Sequence, residues 1–302
     1  MKITLKQLLV FKCIHAEGQI SRAARKLHMS VPAVSMALKE LESALGCRLF
    51  ERSATGLLLN PQGELLLPYA NGMLASEQQV QQLFHASASG VCGTLTVGAS
   101  KTAGNYVLSR RLPVFHQCFP ATGIRLMIKD SSHIERMVSE RELDLAFVDA
   151  KPSLANLCCE PWLRDRICIV CGAYNPLAKE VVDTERLSRE VWYLDESATV
   201  ARVRAMQLLH SVGIVPSQTI TMGTLGAIKR ATATGYGVSI LPFMAIDAEL
   251  ERGDLVELEL PGWDFERNYW VIRRAEEVLA PLPANFLEFM LDQREFDEQR
   301  PA

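Results

Sequence analysis

The sequence lacks the long apolar runs that mark membrane-spanning segments. No stretch of 18 consecutive apolar residues occurs among its 302 residues, so no transmembrane helix is expected. Lys2, Lys6 and Lys12 interrupt the first dozen residues, a spacing unlike the basic-then-apolar order of a secretory leader. The sequence therefore predicts a cytoplasmic protein that has no membrane partner.

The common catalytic motifs are also missing. The chain has no glycine-rich P-loop, no GxSxG nucleophile turn and no HExxH zinc motif. Its six histidines are isolated from one another, and no His/Cys cluster has the spacing of metal ligands. We therefore expect no enzymatic activity, no metal and no cofactor.

The eight cysteines lack the paired spacing of a disulfide framework. Cys168 and Cys171 form a CxxC, but it lies in the segment RICIVCG, which is predicted to be a buried strand. Positions three apart on a strand point to opposite faces, so this pair is poorly placed for a metal or a disulfide. Cys158 and Cys159 are the only adjacent cysteines, and their reactivity would require an exposed, electropositive setting.

What is present predicts a globular protein of about two domains. The chain is 48% hydrophobic and 22% charged, values typical of folded proteins with real cores. Its length alone favours about two domains.

Residues 21–52, SRAARKLHMSVPAVSMALKELESALGCRLFER, predict two short helices followed by a hairpin. Ser21 is the expected N-cap of the first helix, and Ser30 caps the second, whose first turn accepts Pro32. Gly46 is expected to end the second helix in a left-handed conformation. The second helix should bury one apolar face, formed by Val34, Leu38, Leu41 and Leu45.

The other face of the second helix is suited to double-stranded DNA. A helix of this length fits the major groove, with its N-terminal residues at base edges. Residues 1–65 carry nine basic and five acidic side chains, a net charge of +4, whereas the rest of the chain has a net charge of −7. This split predicts that only the first part contacts DNA; the alternative is an ordinary helical hairpin in a larger core. The candidate DNA-binding residues are Arg22, Ser30, Val31, Pro32, Ser35, Met36, Lys39 and Arg52.

This segment resembles the N-terminal signature of LysR-type transcriptional regulators, and the similarity extends to about residue 290. The resemblance implies a sequence-specific regulator that forms a homodimer or homotetramer and responds to a small-molecule effector. Val31 stands where the family often has glutamine, and Gly18-Gln19-Ile20 replaces the commoner Gly-Ser-Phe/Leu; Val31 could make only apolar base contacts. The matching residues are Leu8, Phe11, Ala16, Ser21, Ala23, Ala24, Leu27, Pro32, Ala33, Val34, Ser35, Leu38, Leu41, Glu42, Leu45, Gly46, Leu49, Phe50, Arg52, Pro61 and Gly63.

Residues 1–60 are expected to form an all-α winged helix-turn-helix domain, and residues 61–90 a linker helix and hinge. Asn60 and Pro61 open a helix that runs to about Ala86. Its apolar stripe needs a partner, and a second copy of the chain is the simplest one; the family resemblance implies a dimerising helix here. Pro68 is expected to kink the helix or shift its start. The stripe consists of Leu66, Met73, Val80 and Leu83.

From Gly93 onwards, predicted strands alternate with predicted helices, which indicates mostly parallel sheets covered by helices. The family resemblance implies an effector domain over residues 91–302, built from two Rossmann-like lobes in the manner of a periplasmic binding protein. We define the first lobe as residues 91–163 and 269–302, and the second lobe as residues 164–268. The predicted strands lie at residues 94–97, 124–128, 143–148, 167–171, 191–194, 219–222, 238–241 and 269–273.

Polar residues follow several of these strands, at the sheet edge where open α/β folds bind ligands. Hydroxyl groups and the first amides of the following helices favour an anion there. The alternative is that the Ser and Thr residues simply cap helices. The candidate effector-binding residues are Ser100, Lys101, Thr102, Asp149, Thr199, Arg202 and Thr224.

The segment GASKTAGNYVL resembles LysR-type regulators that sense small sulfur oxyanions or related carboxylates. The segment DESATVAR departs from that subgroup, because it lacks both glycines of the usual Gly-Ser-Gly-Thr-Arg and so the freedom to adopt left-handed conformations. Asp149, Asp195 and Glu196 would repel an anion unless they are protonated or paired. The expected effector is a small anion or a zwitterionic metabolite, with Lys101 or Arg202 at its acidic end. Two alternatives remain: a cysteine-based redox-sensing regulator and, less favoured, a small-molecule enzyme fused to a DNA-binding module.

Overall fold

The computed structural model describes residues 3–53, 56–86, 91–196, 200–275 and 278–292. The side chains of residues 78, 79, 81–86 and 200–202 lie outside this description. Within the described residues, no helix is long and apolar enough to cross a bilayer.

The N-terminal part forms four helices and a two-stranded wing. Antiparallel pairing of Phe50 with Leu59 and of Ser53 with Gly56 closes the predicted hairpin; residues 54 and 55 at its tip lie outside the described residues. Ser30 caps the third helix as predicted, and Gly46 ends it with φ +70°. The elements are α1 Leu5–Glu17, α2 Ile20–Lys26, α3 Val31–Leu45, β1 Phe50–Ser53, β2 Gly56–Leu59 and α4 Pro61–Ala86.

Two local predictions in this region are wrong. Ser21 does not cap α2, because the helix begins two residues earlier than predicted, at Ile20, and its N-cap is Gln19, which makes no side-chain cap hydrogen bond. The sequence pattern predicts a first helix over residues 3–16 that packs Leu5, Leu8, Leu9 and Cys13 on the helix-turn-helix. In the structure, however, Leu5 and Leu9 are 40% and 45% exposed. The helix is rotated so that its buried face consists of Leu8, Val10, Phe11, Cys13 and Ile14.

Helix α4 begins as predicted, because Asn60 Oδ1 accepts a hydrogen bond from the Gly63 amide at 2.9 Å. It continues through Pro68 without a shifted start. Its stripe differs from the predicted one: Leu66 packs against the helix-turn-helix core, and the side chain of Leu83 lies outside the described residues. Among the side chains of α4 that the structure describes, the exposed large apolar ones are Leu65, Tyr69, Met73 and Val80.

The turn at residues 140–141 of the first lobe contacts the middle of α4. Asn71 is 2% exposed, and its Nδ2 donates a 3.0 Å hydrogen bond to the carbonyl oxygen of Glu140. A Cβ on Gly72 would lie 2.7 Å from Cδ of Arg141. A glycine is unfavourable inside a helix, and this close approach accounts for its presence in α4.

The remaining chain forms one mixed sheet in the order β4-β3-β5-β11-β6-β9-β7-β8, with β10 paired to β6. Parallel pairing holds β3 to β4 and β5, and β7 to β8 and β9. The strands are β3 Gly93–Ala99, β4 Thr122–Ile128, β5 Leu145–Val148, β6 Leu157–Gly172, β7 Val191–Asp195, β8 Gln218–Met222, β9 Val238–Pro242, β10 Leu255–Glu257 and β11 Glu266–Arg274.

Helices cover this sheet, as the alternating pattern predicted. A π-helical turn, Ala103–Leu108, leads directly into α5, and short 3-10 turns occupy Pro176–Lys179 and Phe243–Ala245. The helices are α5 Ser109–Cys118, α6 Ser131–Ser139, α7 Thr184–Arg189, α8 Val200–Ser211, α9 Leu225–Ala233, α10 Asp247–Glu251 and α11 Pro281–Asp292.

Strands β6 and β11 are much longer than predicted and join the two lobes. They pair antiparallel from Leu157 opposite Arg274 to Arg166 opposite Glu266. The sequence indicated only residues 167–171 and 269–273, because apolar residues dominate there while Arg and Asp interrupt the connecting stretch. The two lobes are thus joined by a two-stranded antiparallel ribbon, whereas the sequence predicted only a short boundary between them.

The CxxC pair lies in β6 as predicted. Cys168 and Cys171 are both fully buried but belong to different hydrophobic clusters on opposite faces of the strand. Burial raises the pKa of both thiols, to about 11 for Cys171. Both thiols are therefore buried in the hydrophobic core, and the Cys168 sulfur also accepts a hydrogen bond from Arg166 Nη1 at 3.2 Å.

Candidate DNA-binding surface and effector cleft

The predicted DNA-binding residues are all exposed, and they lie on α2, at the start and along α3, and on the wing. Ser30 Oγ accepts a hydrogen bond from the Ala33 amide at 3.3 Å. Ser30 is therefore both the N-cap of α3 and a candidate DNA-binding residue. The buried side of α3 consists of Val34, Leu38 and Leu41, which turns the opposite side to solvent. The exposed residues are Arg22, Ser30, Val31, Pro32, Ser35, Met36, Lys39 and Arg52.

Charge pairing distinguishes the basic residues near this surface. Lys26 is bound to Glu17 at 2.6 Å, and this hydrogen bond lowers the pKa of Glu17. Lys39 and Arg52 make no ion pair with any residue that the structure describes. These two cations are therefore available to phosphate groups without first breaking an internal contact.

A cleft of about 540 Å³ lies where the first and second lobes meet. The ends of β3, β5, β7 and β9 reach it through Ser100, Val148, Leu194 and Leu241. This is the edge at which open α/β sheets bind ligands. Four of the seven predicted effector residues line this cleft. Three of them, Ser100, Lys101 and Thr102, are consecutive residues that follow β3.

The hydroxyls of Ser100 and Thr102 do not cap a helix, although both residues stand at its start. They are 2% and 5% exposed, and Thr102 makes no side-chain cap hydrogen bond. The Ser100 amide donates to the Phe147 carbonyl at 2.9 Å, but its Oγ has no hydrogen-bond partner among the described residues. A buried hydroxyl without a partner is costly, and this one faces the cleft.

Asp149 and Lys101 also line the cleft, each beside a polar neighbour. The Ser131 hydroxyl donates to Asp149 Oδ1 at 2.5 Å. The Lys101 ammonium lies 3.6 Å from Asp130, and both side chains are largely exposed. An exposed pair of this kind is weak, so Lys101 can turn towards a ligand at little cost.

A buried charged cluster that the sequence did not indicate underlies the cleft. Arg267 lies in β11 with its guanidinium Nη2 3.2 Å from Asp165 Oδ2 and its Nη1 3.9 Å from Asp149 Oδ2. The Tyr269 hydroxyl accepts a hydrogen bond from Arg267 and donates one to Asp165 Oδ2 at 3.4 Å. Arg267, Tyr269 and Val271 alternate along one face of the strand, and Tyr269 and Val271 are fully buried. This alternation is the sequence signal from which the burial of Arg267 could have been predicted.

The protonation of this cluster follows from its burial. Burial raises the pKa of Asp165, although Arg267 and the Met244 amide oppose the shift. Burial disfavours the charged form of Arg267. The electrostatic interactions with Tyr269, Asp165 and Asp149 favour this form more strongly, so the pKa of Arg267 is raised. Arg267 therefore stays cationic at the base of the cleft.

The helix that follows Ser100–Thr102 connects the cleft to the second lobe. Its π-helical turn carries Tyr106, whose ring centroid lies 4.6 Å from the Lys229 ammonium. Arg110 binds Asp247 through two hydrogen bonds, at 2.5 and 2.8 Å. π-Helical turns are rare overall but are often found at functional sites. This one joins the cleft-lining residues Ser100–Thr102 to contacts with the second lobe.

The other three effector candidates are placed differently. Thr224 does not line the cleft; its hydroxyl accepts a hydrogen bond from the Ala227 amide at 3.2 Å and caps α9. Thr199 lies outside the described residues. The backbone of Arg202 belongs to α8, but its side chain lies outside the described residues.

Both parts of the chain match known protein families. Residues 5–64 match a family described as bacterial regulatory helix-turn-helix protein, lysR family. Residues 88–295 match a family described as LysR substrate binding domain. The two matches cover the surface around α3 and the cleft, respectively.

The chain is also similar to other proteins along nearly its whole length. The HTH-type transcriptional regulator YeiE of Escherichia coli K12 is 31% identical over 289 residues, which is 96% of this chain and 97% of that protein. Full-length OxyR of Pseudomonas aeruginosa is 24% identical with a TM-score of 0.75, over 98% of this chain and 95% of that one. CbnR, solved in complex with its target DNA, is 19% identical with a TM-score of 0.66, over 95% and 98% of the two chains.

Proposed function

This chain belongs to the LysR family of transcriptional regulators, and we propose that its effector binds in the cleft between the two lobes and thereby switches DNA binding. The observation that carries this proposal is the unpartnered, 2% exposed hydroxyl of Ser100, placed in a cavity of about 540 Å³. Cavities of this size commonly hold small organic ligands. The effector is a small anion or a zwitterionic metabolite, as the polar first-lobe wall suggests.

The proposed switch is closure of the two lobes. Arg267 stands on the ribbon that joins the lobes, while Ser100 and Thr102 belong to the first lobe alone. A ligand that contacts both favours the closed arrangement by its differential affinity for it. Closure is transmitted to the DNA-binding region through the contact of Asn71 with the turn at Glu140.

The experiment that tests the cleft assignment is an operator titration with and without effector, in the wild type and in the double variant S100A/T102A. These substitutions remove two hydroxyls that do not cap a helix. Thr224→Ala is the matched control, because its hydroxyl caps α9 outside the cleft lining.

We further propose that residues 1–60 form the DNA-binding domain, residues 61–90 the linker, and residues 91–302 the effector domain. A second copy of the chain covers the exposed stripe of α4, so that the protein binds DNA as a homodimer or a homotetramer. The protein acts in the cytoplasm and has no enzymatic activity of its own, which accords with relatives that are named as transcriptional regulators.

Ser35 should contribute to base recognition, whereas Lys39 and Arg52 should contact phosphates. Ser35→Ala should cost about 1–3 kcal/mol on the operator and much less on random DNA. Lys39→Ala and Arg52→Ala should weaken binding to both DNAs, each reducing the slope of log affinity against log salt by about one unit. Fluorescence anisotropy over a salt series measures both effects.

Lys179→Ala provides the control for the charge changes, because Lys179 is an exposed lysine on the second lobe. It should leave the salt slope unchanged. An equal loss on operator and random DNA for Ser35→Ala would rule out base recognition by that hydroxyl.

A further inference from the structure

The two walls of the cleft differ in chemistry. The first-lobe wall is dominated by hydroxyl and charged groups, including Ser100, Thr102, Ser131 and Asp149. The second-lobe wall is dominated by aliphatic side chains, namely Leu194, Leu208, Leu225, Ile228, Ile240 and Leu241. A ligand enclosed by both lobes therefore needs one polar side and one apolar side.

The aliphatic wall argues against a simple inorganic anion. A sulfur or phosphorus oxyanion has no apolar surface, so it gains nothing from contact with Leu208 or Leu225. It would also fill only a small part of a cavity of about 540 Å³ and leave water against the aliphatic wall. Burial of apolar ligand surface there is the favourable contribution that this wall can make.

The charges of the cleft argue for a ligand without net charge. Of the described residues that line it, four are basic and four are acidic, so a dianion would meet as many carboxylates as cations. Opposite charges placed side by side instead match a ligand that carries both signs. The basic residues are Lys101, Lys151, Arg204 and Arg267, and the acidic ones are Asp130, Glu135, Asp149 and Asp195.

The polar groups nearest the base of the cleft retain unused hydrogen-bonding capacity. Arg267 uses Nε and Nη2 for Asp165 and Tyr269, while its Nη1 lies 3.9 Å from Asp149 Oδ2. A charge-assisted hydrogen bond is about 2.7–2.9 Å long, so Arg267 Nη1 and Asp149 Oδ2 are not directly hydrogen-bonded. Ser100 Oγ, without a partner among the described residues, provides a further donor.

We propose that the cleft binds a zwitterion with an apolar side chain, which is the chemistry of an apolar α-amino acid. Its carboxylate accepts hydrogen bonds from Arg267 and Ser100, its ammonium group donates to Asp149, and its side chain packs against the second-lobe wall. This inference rests on the proposed function, since it names the ligand class of the same cleft.

Isothermal titration calorimetry on the purified full-length protein tests this ligand class. The amino acid probes are leucine, methionine, valine and phenylalanine. 4-Methylpentanoate lacks the ammonium group, 3-methylbutylamine lacks the carboxylate, glycine lacks the side chain, and sulfate and phosphate represent the inorganic anions. At least one of the four amino acids should bind, and each probe that lacks one group should bind roughly tenfold to a hundredfold more weakly.

Asp149→Asn identifies the ammonium site. It should weaken binding of the best amino acid by roughly tenfold or more. The affinity for 4-methylpentanoate should stay the same or rise, because the substitution removes a carboxylate that repels this anion. A general loss of structure would instead weaken the binding of both compounds. Equal losses for both compounds, tighter binding of sulfate or phosphate, or no binding of any amino acid would each overturn the proposal.

The same titrations separate this inference from the proposed function. If an inorganic anion binds the wild type and loses affinity in Ser100→Ala, the cleft is the effector site and only the zwitterionic ligand class is wrong. If a probe binds the wild type, Ser100→Ala and Asp149→Asn equally well, the cleft assignment fails together with the ligand class.

Discussion

Replacing Tyr69 and Met73 together with glutamate should yield a monomer whose operator affinity falls roughly 10³-fold or more, towards the level of nonspecific binding. Tyr69 and Met73 are 63% and 51% exposed and lie one helical turn apart on α4, between Leu65 and Val80, which are 64% and 52% exposed. Two carboxylates in an apolar helix–helix interface would be buried without partners, at a cost of several kcal/mol. One DNA-binding domain alone cannot engage two half-sites.

Analytical ultracentrifugation and operator binding measure the two consequences on the same preparation. The control is Tyr174→Glu with Val181→Glu, which makes the same change in charge at two apolar residues that are each 91% exposed on the second lobe. This control should remain oligomeric and bind the operator normally. A Tyr69/Met73 variant that stays dimeric would show that α4 does not form the interface.

Asp165→Ala should lower the free energy of unfolding by about 3–5 kcal/mol, because it removes the closest carboxylate from a buried guanidinium. The Asp165 side chain is fully buried, and its oxygens accept from Arg267, Tyr269 and the Met244 amide. Asp149 remains as a counter-ion, but at 3.9 Å from Arg267 it cannot replace these hydrogen bonds. Urea denaturation followed by circular dichroism gives the change in unfolding free energy.

Asp254→Ala is the matched control for this loss. Asp254 also pairs with an arginine, Arg252, at 2.9 Å, but both side chains are more than half exposed. Exposed pairs contribute about 0–1 kcal/mol, so this variant should unfold almost as the wild type does. Equal stability of the two variants would show that the Arg267–Asp165 pair does not stabilise the ribbon between the lobes.

The N-terminal helix-turn-helix region could be predicted closely from its sequence because local signals determine it. Ser30, Pro32 and Gly46 fix the ends of α3 through capping and backbone conformation, and the structure places both ends where these residues predict. The rotation of α1 was missed, because its apolar residues occur around most of the helix. Only packing against α2 and α3 decides that Leu8 and Phe11 are buried while Leu5 and Leu9 are not.

The cleft could be predicted only in part, because its two walls come from distant segments. Strand-end position indicated Ser100, Thr102 and Asp149, which do line the cleft. Arg267 was missed because the polar residues at positions 266–268 interrupt the apolar pattern of this segment. The strand was therefore predicted to begin only at Tyr269. The aliphatic residues of the second-lobe wall, such as Leu208 and Leu225, were indistinguishable in the sequence from ordinary core residues.

The central claim, that a ligand in the cleft controls DNA binding, is tested most directly by operator affinity at fixed salt. Fluorescence anisotropy is measured with and without the ligand that binds best in calorimetry, for the wild type and S100A/T102A. We predict a change of about 5- to 150-fold for the wild type. The double variant, shown by circular dichroism to be folded, should keep the basal operator affinity and lose this change. A folded double variant that responds by the wild-type factor, with unchanged affinity for the ligand, would contradict the claim and place the effector site elsewhere.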